Sequence, residues 1–113
     1  LVGKVDAIYV PTDNTVISAL ESVIKVSEQV DLPLFTADTD SVKRGAIAAM
    51  GFDYYLHGRQ TGALARRILA GADPGEVPVE FQKELSFQVN PEAAKRMGIT
   101  VSQDILDSAD KLY

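Results

Sequence analysis

Two hydrophobic periods alternate along the chain. Ala7–Val10 is a short apolar run with β-branched and aromatic members, which predicts a strand buried on both faces, and Pro11 ends it. Beyond it, Val16, Ile17, Leu20, Val23 and Ile24 recur at helical spacing, so a helix capped by Asp13 or Asn14 is expected to run to about Val30. Pro33–Thr36 predicts a second strand, and Asp40 stands where it would cap a helix running through Met50 and closed by Gly51. "GFDYY" predicts a third strand. After "LHGRQTG", the segment "ALARRILAG" predicts a helix ending at Gly71.

The second half of the chain changes character. "ADPGEVP" is a loop by its Pro and Gly content. Over residues 84–89, Leu85, Phe87 and Val89 alternate with Glu84, Ser86 and Gln88, the pattern of a half-buried strand. Asn90-Pro91-Glu92 supplies a cap, an N1 proline and an acidic first turn for a short helix that Gly98 closes. A brief extended piece and a last helix capped by Ser102 follow. Strand, helix, strand, helix, strand is the α/β alternation, and near-continuous apolar strands predict a parallel sheet flanked by helices.

That topology draws attention to two strand ends. In an open parallel sheet, ligands bind beyond the carboxyl ends of the strands. "PTDN" and "DTDS" both fall there, so Thr12, Asp13, Asn14, Asp38, Thr39, Asp40 and Ser41 gather on one rim if the two strands are neighbours. Carboxylates accept from an ammonium, while hydroxyls and free helix-end N–H groups donate to a carboxylate, which is what a zwitterionic amino acid requires. Ordinary helix capping uses the same residue types and is the base expectation for either cluster taken singly. Asp38 and Asp40 also form a D-x-D pair, but a hard cation wants several converging oxygens. His57, the only histidine, has no nucleophile pattern or paired metal-ligand spacing around it. A P-loop and a G-x-G-x-x-G are both missing, so the sequence carries no case for an enzyme or for a cofactor. Tyr54 and Tyr55, if on a strand, face opposite ways, one inward and one toward a cleft or solvent.

Composition narrows the partners. The 113 residues fit one ordinary domain, with 46% hydrophobic and 24% charged residues in the globular range. A net charge of −5, with both signs interspersed, provides no basic face for nucleic acid. Cysteine is absent, which excludes disulfide and thiol chemistry. No apolar run approaches the ~18 residues of a spanning helix. The opening "LVGKVDAIYV" has no initiator Met or charged leader, and reads as a piece of a longer protein.

"VPTDN", "DTDSVKRGA" and "GFDYYLHGRQTG", together with the tail "NPEAAKRMGITVSQDILDSADKLY", closely resemble the carboxyl-terminal portion of the ABC transporter solute-binding proteins whose members include tryptophan- and tyrosine-binding proteins. The resemblance implies a type I periplasmic-binding-protein fold, here partial: two α/β lobes joined by crossing strands, with a small ligand, an amino acid and in some members an aromatic one, enclosed between them. On that basis residues 1–57 are expected to belong to the second lobe, 58–89 to the crossing back with a helix and strand of the first lobe, and 90–113 to carboxyl-terminal helices. The ligand-binding residues it implies are Thr12, Asp13, Asn14, Asp38, Thr39 and Gln60. Asp13 or Asp38 would take the ammonium, Thr12, Asn14 or Thr39 the carboxylate, and Gln60 would touch ligand or brace the hinge.

The same resemblance implies a permease partner and a periplasmic or extracellular location, with or without a lipid anchor. A ligand-sensing domain of a regulator or receptor shares the fold and is the alternative reading; a stand-alone receiver- or flavodoxin-like domain is the third. A lobe separated from its neighbour should also self-associate, through apolar surface on the Thr61–Leu69 helix and the Leu85–Val89 strand.

Overall fold

Short apolar runs ended by proline or by polar caps give short elements, and their order is that of an α/β chain. In the computed structural model, β1 (Ile8–Val10), α1 (Asn14–Ser18), α2 (Leu20–Gln29), β2 (Leu34–Thr36), α3 (Asp40–Arg44) and β3 (Ala48–Gly51) come first. They are followed by α4 (Tyr54–Leu69), β4 (Ser86–Val89), α5 (Pro91–Arg96), α6 (Gln103–Ser108) and β5 (Lys111–Leu112). The described residues are 1–82 and 84–113; position 83, inside the segment 58–89 expected to cross back, lies outside them.

The five strands form one sheet in the order β1-β2-β3-β4-β5. β1, β2 and β3 are parallel, with Val10 beside Thr36 and Thr36 beside Ala49. The sheet is parallel as expected except at one pairing: β4 runs antiparallel to β3 with Gly51 opposite Ser86, while β5 is parallel to β4. The reason is the chain path. Residues 52–85 form a compact unit of their own, and the chain re-enters the sheet at Ser86 from the edge where β3 left it. β4, which the resemblance places in the segment 58–89, pairs with β3 and β5 and belongs to the unit formed by residues 1–51 and 86–113.

The core of that larger unit joins the sheet to its helices. Leu20 and Ile24 from α2, Val10, Leu34 and Ile47 from the sheet region, and Ala94 and Met97 from the α5 end pack into one cluster. Leu20, Ile24 and Ser27 repeat on one face of α2, the spacing of a helix that buries a stripe. The long first helix of the sequence reading is in fact two. Ala19 leaves helical geometry, next to a Ser18 hydroxyl that donates back to the Thr15 carbonyl (2.7 Å), a bond that bends helices.

Two further expectations are corrected. The helix expected from Asp40 through Met50 stops at Arg44, because Gly45 takes φ +130°, where a side chain is disfavoured, and the following Ala48–Gly51 is β3. The strand expected in "GFDYY" is the entry to α4. Asp53 accepts from the N–H groups of Tyr55 (2.7 Å) and Leu56 (3.0 Å), and the helix then runs unbroken to Leu69. Tyr54 and Tyr55 therefore sit in a helical first turn, both exposed. Asn90 caps α5 as read, accepting from Ala93 N–H (2.9 Å). Ser102 stands at the start of α6 but makes no side-chain cap bond. β5 had no counterpart in the sequence reading.

One surface ion pair ties α2 to α3. Arg44 donates through Nε and Nη2 to the Glu21 carboxylate (2.9 and 3.0 Å) and through Nη2 to the Ile17 carbonyl. The guanidinium hydrogen bond holds the Glu21 carboxyl below its usual value, and the same bond raises Arg44. Among the described residues, no helix is long and apolar enough to cross a membrane.

Candidate functional site

β1 and β2 are adjacent and parallel, and their last residues, Val10 and Thr36, are in register. The loops that follow therefore leave the same edge of the sheet side by side, strands there being about 4.8 Å apart. This brings Thr12, Asp13 and Asn14 to the same rim as Asp38 and Thr39. β3 ends at Gly51 on the same edge. Thr12, Asp13, Asn14 and Asp40 are exposed, while Asp38 and Thr39 are partly buried.

The chemistry of this rim differs from the sequence picture in one respect. The two expected ammonium acceptors already serve as caps. Asp13 Oδ1 accepts from Val16 N–H at 2.9 Å. Asp38 grips Ser41 twice, Oδ1 accepting from the backbone N–H (2.9 Å) and Oδ2 from the hydroxyl (2.8 Å). It is Asp38, not Asp40, whose side chain caps α3. These bonds occupy N–H groups at the starts of α1 and α3 that were expected to face a ligand. What remains for a small polar molecule is the second oxygen of Asp13, the remaining lone pairs of Asp38, and the side chains of Thr12, Asn14 and Thr39, which make no side-chain hydrogen bond among the described residues.

The β2–α3 loop is held firmly. Thr36, buried at the end of β2, donates its hydroxyl to the Asp38 carbonyl (3.0 Å), and Ala37 N–H donates to the Val10 carbonyl (2.9 Å). The Asp38 charge also contributes to holding Arg44 protonated, after the larger effects of Glu21. Sequence reasoning counted Ser41 among the rim's polar groups but missed its role as the anchor of Asp38, and it missed Thr36 altogether. The legible signal was the Asp38-x-x-Ser41 spacing, in which a carboxylate reaches the N–H and hydroxyl three residues on.

Gln60 belongs to the other compact unit. It lies on α4, in the unit formed by residues 52–85, and its amide nitrogen donates to Glu80 Oε2 (3.2 Å) and to the Phe81 carbonyl (3.0 Å). His57 is 3.2 Å from Gln82 Oε1 through Nδ1 and packs against Phe52. Arg67 pairs with Glu80 in the same unit. Among the described residues, no group of three His, Cys, Asp or Glu side chains converges as a metal ion needs, and the Asp38/Asp40 pair gains no third ligand.

A wide groove of about 470 Å³ also opens on the sheet unit, lined mainly by apolar side chains that include Tyr9, Phe35, Met50, Phe87, Val101 and Ile105. None of the six candidate residues lines it. It has few polar groups to orient a zwitterion, so the rim remains the better candidate.

The family of ABC transporter substrate binding proteins matches residues 1–113, the whole chain. The chain belongs to that family. Its members are binding proteins rather than enzymes. A tyrosine-binding protein of Clostridioides difficile (strain R20291) is 37% identical over 97 residues, covering 86% of this chain and 28% of that protein. Two solved structures superpose closely. A conserved domain protein from Vibrio cholerae O1 biovar El Tor has a TM-score of 0.88 and 42% identity, over 97% of this chain and 37% of the other. An ABC domain from Streptococcus pneumonia, solved in complex with L-Trp, has a TM-score of 0.87 and 30% identity, over 99% of this chain and 38% of the other. The chain therefore spans less than two fifths of the length of each. The periplasmic-binding-protein-like α/β fold implied by the resemblance is the fold of these neighbours.

Proposed function

We propose that this chain is part of the solute-binding component of an ABC importer, and that its rim forms one wall of a cleft between two lobes that holds an amino acid without transforming it. The observation that carries the reading is the convergence of Thr12, Asp13, Asn14, Asp38 and Thr39 at the carboxyl edge of two adjacent parallel strands. It occurs in a chain that is 30% identical to a domain solved with L-Trp. Asp13 and Asp38 supply negative charge for an ammonium, and Thr12, Asn14 and Thr39 supply neutral donors for a carboxylate. That residues 52–85 form a separate unit supports assigning them to the crossing toward the other lobe. Contacts made on both walls stabilise the closed over the open form, and a permease that reads the closed form completes the mechanism. A periplasmic or extracellular location follows from this role.

The test is isothermal calorimetry with L-tryptophan and L-tyrosine, using protein produced from the complete gene. Micromolar or tighter binding of one of them is expected, with a ~10-fold loss for Thr39→Val or Asn14→Ala, the size of one polar contact to a charged group. Absence of binding across all proteinogenic amino acids would remove the reading. The 113-residue chain on its own is expected to bind far more weakly, since one wall supplies only part of the contacts.

The isolated chain is also expected to self-associate. Leu69 (88% exposed), Val79 (83%) and Phe81 (83%) project from the 52–85 unit, and Tyr9 and Met50 from the sheet unit. β4 offers no free strand edge for such pairing, because it lies between β3 and β5. Static light scattering over a concentration series should show a rising apparent mass; a constant monomer mass would contradict it.

A further inference from the structure

We propose that Gly51 is a positioning residue of the rim: its missing side chain is the space in which the Ala37–Thr39 loop rests. A Cβ built on Gly51 would lie 2.7 Å from the Ala37 carbonyl oxygen and 3.3 Å from Thr39 Cγ2, with Thr39 N at 3.6 Å. The first of these is closer than real Cβ atoms approach, and the obstructing atom is backbone, so relief has to come from moving the loop. Gly51 itself has little freedom to retreat. It is buried at the end of β3, in register with Ser86 of β4. The loop is held on its other sides as well, by Ala37 N–H on the Val10 carbonyl and by Thr36 Oγ1 on the Asp38 carbonyl. A side chain at 51 therefore lifts Asp38 and Thr39 together, away from the rim shared with Thr12–Asn14. Gly51 touches no ligand in this scheme; it acts through the loop. As far as ligand affinity is concerned, the inference rests on the reading of the rim given above.

Two measurements separate the two ideas. In protein from the complete gene, Gly51→Ala should weaken L-tryptophan or L-tyrosine binding by about tenfold or more, the loss of at least one hydrogen bond to a charged group. It should also speed amide exchange at residues 38–41 by roughly tenfold, as expected of a loop that has lost its seat. Gly98→Ala is the control. It forces a side chain onto φ +74° and against Asp31 Cβ (3.2 Å), remote from the rim, so it should lower stability while leaving affinity and exchange at 38–41 unchanged. In a Thr39→Ala background the further affinity loss from Gly51→Ala should shrink, which a general loss of stability would not produce.

Should Gly51→Ala fail to fold, Thr36→Val removes the loop's bond to β2 at nearly constant volume, and should give the same two changes at several-fold size. Wild-type protein that binds no proteinogenic amino acid overturns the ligand reading, and the exchange measurement then decides the placement of the loop by itself. Unchanged exchange at 38–41 in both variants, or unchanged affinity in a protein that does bind, overturns the role of Gly51.

Discussion

Leu34→Ala is expected to lower the stability of this chain by about 3–5 kcal/mol, the upper part of the range for truncating a buried leucine. Leu34 is fully buried in β2, between β1 and β3, and packs in the cluster that joins Leu20 and Ile24 of α2 to Met97 beyond α5. Removing its side chain takes away contacts from the sheet and from helical layers at once, and the strand, paired on both sides, has little room to collapse into the space. Against a typical total of about 5–15 kcal/mol, such a loss is a large fraction of what keeps the domain folded. Leu69→Ala is the matched comparison. Leu69 is 88% exposed, and its truncation should stay within about 0.5 kcal/mol. Urea unfolding followed by circular dichroism gives both numbers; similar midpoints for the two variants would refute this account of the core.

The second large effect is expected at Asn90. Its side chain is buried and works at both ends: Nδ2 donates to the Val42 carbonyl (3.0 Å), and Oδ1 accepts from Ala93 N–H (2.9 Å). One amide thus caps α5 and ties the end of β4 to α3, 48 residues earlier. Asn90→Ala leaves the helix-start Ala93 N–H without its partner and takes from the Val42 carbonyl one of two donors, the other being Gly45 N–H (3.2 Å), and should cost about 1–3 kcal/mol. Asn90→Ser restores a capping oxygen but cannot reach Val42, so it should recover about 1 kcal/mol of that loss. Unfolding curves that place Ser and Ala together would mean that the bond to Val42 carries the whole effect. Curves that place Ala near wild type would mean that neither bond matters.

Both positions bear on the candidate rim through the sheet. Val10 and Thr36 end adjacent strands in register, so whatever keeps β1, β2 and β3 aligned also keeps Thr12–Asn14 beside Asp38–Thr39. The candidate site is thus a property of the sheet more than of any one loop. The bonds within the β2–α3 loop, from Thr36 to the Asp38 carbonyl and from Asp38 to Ser41, then set the finer placement.

The sequence by itself determined the α/β class, the polar tips of the first two strands and the local punctuation wherever one strong signal stood alone. Pro11 ended β1, a cap at Asp13 or Asn14 opened α1 (Asp13 in the structure), and Asn90-Pro91 opened α5, because proline geometry and side-chain caps act within three or four residues and need no distant partner. Where local signals conflicted, tertiary structure decided. The alanine-rich stretch at 46–49 suits a helix, yet Ala48–Gly51 is a strand between β2 and β4, where small side chains and ladder pairing outweigh intrinsic preference. The aromatic "FDYY" suits a strand, yet the Asp53 cap turns it into α4. The antiparallel return of β4, the pairing of β5 and the close seat of the Ala37–Thr39 loop on Gly51 depend on contacts between residues far apart in the chain, to which a reading in windows of ten residues has no access.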